Sequence, residues 1–139
     1  MERGAALAIF DGQLRQLIHR VKFQGDRDLA RGLGQLLAER VRQRRWATDL
    51  VVPIPLDAGR LRLRGYNHAE SIAQPVAAAL GRPLAADAVV RVRAAKPQSG
   101  LDLRARRENL RGVFWAPEAG RIRNQRVLLI DDVATSGST

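Results

Sequence analysis

Two adjacent acids, Asp131 and Asp132, precede a loop rich in hydroxyls, Ala134-Thr135-Ser136-Gly137-Ser138-Thr139, and no other stretch of this sequence is as well suited to chemistry. Ahead of them Val127 to Ile130 form a wholly apolar run, which predicts a strand buried on both faces of a parallel sheet. Open α/β sheets bind ligands beyond the carboxyl ends of their strands, so both acids are expected to face a crevice. Hydroxyls and backbone N–H groups folded about Gly137 can wrap a phosphate, and a helix starting behind them would add its positive dipole end. A ligand with vicinal hydroxyls for the acids and a terminal phosphate for the loop suits both halves. A ribose 5-phosphate is such a ligand. The bland alternative, an ordinary buried strand with a polar turn, does not account for apolar residues, acids, glycine and hydroxyls falling in that order. A P-loop nucleotidase is excluded because no G-x-x-x-x-G-K-[ST] occurs.

Two further segments carry concentrated charge. Asp49 to Ile54 (D-L-V-V-P-I) reads as a second short strand, with Pro53 near its end because proline cannot donate to a ladder. The following L-D-A-G-R-L-R-L-R-G-Y reads as an arginine-rich, glycine-jointed loop at a strand's carboxyl end, a natural seat for pyrophosphate. Between strands predicted at Ala88 to Arg93 and Gly112 to Ala116 lies a long polar connection, with a short helix expected from Asp102 to Asn109. Such a connection is either a lid over a substrate or a solvated excursion, and sequence leaves both open.

The elements that must position these residues are legible from period and caps. Leu14, Leu17, Ile18 and Val21 predict a helix from Asp11 to about Phe23, and His19 beside that stripe reads as a packing residue. After the turn Gln24-Gly25-Asp26, Leu29, Leu33, Leu36, Leu37 and Val41 predict a second helix to about Arg44. Both read as scaffold. Asn67 with Glu70 offers a capping-box-like start for a third helix carrying Ile72, Val76 and Leu80 and closed by Gly81. Pro75 inside it should kink the helix or expose a carbonyl.

At 139 residues, 15.4 kDa and 45% hydrophobic content, one compact unit is expected: a helical segment 1–48 and an α/β core 49–139. No stretch reaches the roughly 18 to 20 apolar residues of a bilayer span and no export signal is visible, so a cytoplasmic protein without membrane insertion is expected. With no cysteine and with His19 and His68 far apart, neither a thiolate zinc site nor a histidine metal site is expected. The formal charge of +10 admits nucleic acid as a secondary partner. That argument is weak, because all the basic residues except Lys22 and Lys96 are arginine, a skew coding bias can produce, and only 4% of residues are aromatic.

The acid pair and its loop resemble the phosphoribosyl-pyrophosphate (PRPP) signature of type I phosphoribosyltransferases. Three separated segments, Val51 to Glu70, Lys96 to Phe114 and Val127 to Thr139, together with Phe10 to Asp26, narrow the likeness to the ComF family, phosphoribosyltransferase-like proteins linked to DNA uptake in natural competence. The resemblance implies a type I phosphoribosyltransferase-like open, mainly parallel sheet with flanking helices. It implies ribose hydroxyls on Asp131 and Asp132, a 5-phosphate held by Ala134, Thr135, Ser136, Gly137, Ser138 and Thr139, and pyrophosphate at Asp57, Arg60, Arg64 and Gly65. The 96–111 connection would be a flap with Lys96, Arg104, Arg106 and Arg107 on phosphate. Mg2+ would arrive with PRPP, with no direct protein ligand assigned beyond Asp131 and Asp132 as candidates, and His68 is a slight candidate for a base toward an acceptor that the sequence does not identify. The four-cysteine zinc module of many family members is absent from this chain, and the sequence stops inside the phosphate loop. A C-terminally truncated core, poor at binding PRPP by itself, is therefore expected. Ribosyl phosphate transfer is one implied activity; a non-catalytic module docking DNA or competence proteins, or a remnant without ligand, is the alternative.

Overall fold

The computed structural model describes residues 4–8, 11–93 and 111–133. Among them are four helices, α1 (Gly12–Phe23), α2 (Arg27–Gln43), α3 (Ala58–Arg64) and α4 (His68–Leu80), and four short strands, β1 (Leu50–Pro53), β2 (Val90–Arg91), β3 (Phe114–Trp115) and β4 (Val127–Ile130). It is a mixed α/β fold with a small parallel sheet. None of these helices is long and apolar enough to cross a membrane.

Strands β1 and β4 pair in parallel, Leu50 opposite Val127 through Pro53 opposite Ile130. Parallel strands need a crossover, and α4 lies within it. The register matters for chemistry, because it brings Ile54 and Asp131 out at the same end of the sheet, joined by Ile54 N donating to Ile130 O at 2.8 Å. At the opposite end Asp49 grips Arg126 through both carboxylate oxygens, at 2.8 and 2.6 Å, and also accepts from the Arg126 backbone N–H. On its other side β1 bridges to Leu84, so β1 is central, and Val51 and Val52 are wholly buried.

The expected burial of β4 on both faces is not what forms. Leu128 and Ile130 turn inward, whereas Val127 and Leu129 are 36% and 47% exposed. Side chains alternate along a strand, and among the described residues only one face of β4 is covered, by the core of Ile18, Val21, Leu33, Val51, Ile72 and Val76. The antiparallel pair β2–β3 is shorter than the strands expected at 88–93 and 112–116, with Val90 opposite Trp115 and Arg91 opposite Phe114.

The arginine-rich loop is also a correction, since Ala58–Arg64 is helical. Asp57 caps it by accepting from Arg60 N at 2.9 Å, and Gly65 closes it at φ 72°, where a Cβ would be strained. Leucine and arginine are good helix formers, so two sound caps suffice for this short turn of helix. Asp11 stands at the N-cap of α1 without a side-chain cap bond, whereas Asp26 and Asn67 do cap α2 and α4.

Pro75 lies in the α2–α4 contact. A Cβ at Gly34 of α2 would strike Ile72 O and the Pro75 ring, so the two helices touch backbone to ring there. Gly34→Ala is expected to lower stability by about 1–3 kcal/mol through overpacking, read as a shifted urea midpoint. A gain, from alanine's better helix propensity, would show that the crossing yields easily.

Candidate functional site

The site is built where the carboxyl ends of β1 and β4 meet the start of α4. Asn67 fixes that junction twice: its amide donates to Ile54 O at 3.1 Å, and its Oδ1 accepts from Ala69 N at 3.1 Å. His68, the first residue of α4, is thereby held against the acids, 3% exposed.

Asp132 turns inward. Lys22 Nζ of α1 lies 2.6 Å and His68 Nε2 lies 3.1 Å from Asp132 Oδ2, and the Asp132 and His68 side chains are 6% and 4% exposed. On the far side of the ring, Arg64 lies 3.2 Å from His68 Nδ1. Arginine can only donate, which assigns Nδ1 as the acceptor and Nε2 as the nitrogen carrying the proton toward Asp132. The Arg64 guanidinium also sits over the Phe23 ring, 5.2 Å from its centre. A path of Arg64, His68, Asp132 and Lys22 thus joins α3, α4, β4 and α1. The buried hydroxyl of Tyr66 donates to Val21 O beside it, and Arg27 donates to Gly65 O at 3.1 Å, so the end of α3 is tied to α1 and α2 as well.

The two acids differ electrically. Burial opposes the charge on Asp132, but the His68 N–H and the Lys22 ammonium outweigh it and hold this carboxyl well below the usual range. Asp131 Oδ1 accepts from Asp132 N at 2.8 Å, and burial, followed by the neighbouring Asp132 charge, pushes its carboxyl up to about 6. One acid is fixed as an anion and the other resists ionising.

Of the residues expected at the pyrophosphate, Asp57 and Arg60 pair with each other across the first turn of α3, at 3.3 Å, and the cap bond from Arg60 N keeps the Asp57 carboxyl low. Arg64 reaches the acids only through His68, and Gly65 serves as the end of α3. The phosphate loop, Ala134 to Thr139, and the flap residues Lys96, Arg104, Arg106 and Arg107 lie outside the described residues.

Two side chains at this edge escaped the sequence reading, and a third was given a different role. Lys22 was assigned to scaffold, although a lysine four residues after Ile18 shares that residue's core-facing stripe and is out of place there. His68, thought at most a base, is a buried link. Arg91 of β2 is within electrostatic reach of Asp57 and Asp131, and its burial pulls its own pKa down. Nothing in the alternation A-V-V-R-V-R distinguishes it.

Among the described residues no group of three or more His, Cys, Asp or Glu converges as a metal cage. One half-buried carboxylate, Asp131, at the carboxyl end of β4 fits a magnesium ion shared with ligand phosphates, because Mg2+ is ordinarily held by one or two carboxylates plus phosphate and water.

No family model and no solved structure matches the chain. Curated proteins do. DNA utilization protein YhgH of Salmonella typhi is 31% identical over 143 residues, covering 99% of this chain and 62% of that protein. DNA utilization protein YhgH of Escherichia coli K12 is 33% identical over 145 residues, with the same coverage of 99% and 62%. Competence protein F of Haemophilus influenzae is 36% identical over 129 residues, covering 88% of this chain and 56% of that protein. The chain therefore spans about three fifths of the length of these relatives. Identity at this level along nearly the whole sequence makes the chain a member of the ComF family.

Proposed function

We propose that the chain carries the PRPP-binding core of a phosphoribosyltransferase-type protein that serves DNA uptake or utilisation. The observation that carries this reading is the acid pair at the shared carboxyl end of two parallel strands, with Asp132 clasped by Lys22 and His68 and Asp131 beside it. The names of the relatives supply the biological setting. In this reading the fold is the type I phosphoribosyltransferase core, cytoplasmic, with the hydroxyls of ribose at the acid pair and its 5-phosphate at the 134–139 loop. Arg60 and Arg91 are the cations on hand for pyrophosphate.

Transfer from PRPP breaks the bond between the anomeric carbon and pyrophosphate through an oxocarbenium-like state. The protein's part is to fix the sugar and neutralise the leaving charge. Asp131 is the carboxylate that would hold a magnesium ion, which when bound would supply positive charge at the pyrophosphate.

Titration of PRPP with magnesium into the chain, carried to the length of its relatives, tests the proposal. Heat is expected from the wild type and none from the Asp131→Asn, Asp132→Asn double variant, and equal heats would sink the site. A second reading, a DNA-contacting module without catalysis, draws on the exposed Phe23 and Trp115 and on guanidinium groups over aromatic rings at Phe23, Tyr66 and Phe114. Steeply salt-dependent DNA binding that survives the double substitution, with no PRPP heat, would favour it.

A further inference from the structure

Lys22 lies on a helix whose periodicity assigns it to packing, yet its ammonium group is committed to the site. Asp132 Oδ2 receives Lys22 at 2.6 Å and His68 at 3.1 Å, from two different helices. That oxygen is buried, and neither approach has the direction of a good hydrogen bond. The Lys22 charge, the His68 N–H dipole and enclosure therefore together hold it. A buried ion pair adds little stability over an apolar pair of the same shape, so its value here is in what it fixes. Asp131 makes no such pair among the described residues: its Oδ1 takes the Asp132 backbone N–H.

We infer that the two acids have different tasks: Lys22 and His68 are positioning residues that anchor Asp132 to α1 and α4, leaving Asp131 as the acid that meets the ligand's hydroxyls. This deepens the sugar-phosphate reading and rests on it, while departing from the expectation that both acids share the ribose. A bound sugar would have to displace a lysine and a histidine to reach Asp132 Oδ2. Among the described residues it meets no comparable obstacle at Asp131. Arg64, on the other side of His68, extends the anchor to α3 and so links that helix to the strand end.

The test compares Lys22→Met, Lys22→Arg, His68→Leu, His68→Gln, Asp131→Asn, Asp132→Asn and the Lys22→Met, Asp132→Asn pair. Each is measured for magnesium–PRPP affinity at a temperature where it is folded, and for melting temperature. Loss of an outer support is expected to weaken PRPP at least about tenfold in Lys22→Met and His68→Leu. Lys22→Arg and His68→Gln, which restore the charge and the donor, should recover most of that loss. Asp131→Asn should abolish the heat. The double variant should lose no more than Asp132→Asn alone, in affinity and in melting temperature, because both changes act through one contact. Additive losses, full affinity in Lys22→Met, or PRPP heat persisting in Asp131→Asn would overturn the inference. A wild type that gives no heat overturns the sugar-phosphate reading and with it the role of Asp131. The anchor is then decided by the melting-temperature cycle alone.

Discussion

Asp132→Asn is expected to destabilise the folded chain by about 3 kcal/mol at neutral pH, near the lower end of the range for breaking a buried ion pair from one side. The substitution keeps the shape and removes the charge, so the Lys22 ammonium is left facing a neutral amide in a pocket where the Asp132 side chain is only 6% exposed. Lys22 itself is 25% exposed, and this access to water keeps the loss from the top of the range. The pH dependence follows from the depressed Asp132 pKa. A carboxyl held below its unfolded value contributes stability above that value and loses it as pH falls through the folded one. Wild type and variant should therefore differ fully at pH 7 and converge only in strong acid. Urea unfolding at both pH values reads this directly. A difference below about 1 kcal/mol at pH 7 would place the pair among ordinary surface ion pairs.

Asp131→Asn should do the opposite and raise stability at neutral and mildly alkaline pH. The Asp131 carboxyl, pushed from 3.8 up to about 6, binds its proton more tightly folded than unfolded. Between these values the folded state holds more protons, so stability falls as pH rises through the window, and above it the full penalty applies. Two pH units correspond to about 3 kcal/mol, and relaxation around the charge brings the expected gain to about 1–3 kcal/mol. The gain should be present at pH 8 and vanish below about pH 4. Melting temperatures of both proteins at these two pH values decide it, and a variant less stable than wild type at pH 8 would show that Asp131 is not penalised by burial. Better folding accompanied by loss of ligand is the trade-off expected where a group is kept in an unfavourable place for binding.

Elements that announce themselves locally were legible in the sequence. Asn67 and Gly81 bracket α4 as caps should, Pro53 ends β1, and Val127 to Ile130 form the strand that delivers the acids. Helix α3 was not legible, because none of its side chains is buried and it has no apolar stripe; L-R-L-R repeats at two, and only the caps at Asp57 and Gly65 reveal a helix. The exposed face of β4 was illegible for a different reason: its residues are apolar on both sides, and which side is covered depends on packing partners elsewhere. The candidate site divides the same way. Strand logic put Asp131 and Asp132 just beyond the carboxyl end of β4, where they stand, whereas Lys22 reaches Asp132 only through tertiary packing, and its sole local trace is a lysine in step with Ile18.

The clasp between Asp49 and Arg126 closes a loop of 77 residues, and the contact of Lys22 with Asp132 spans still more of the chain. Closing such loops costs entropy before any contact repays it, and parallel pairing across long separations forms slowly. Helices α1 and α2 adjoin in sequence and can associate early. Docking of β4 is expected to come last, so the acids acquire their surroundings only at the final step of folding. Until then Val127 to Ile130 travel as an unpaired apolar segment, the part of the nascent chain most open to misassociation.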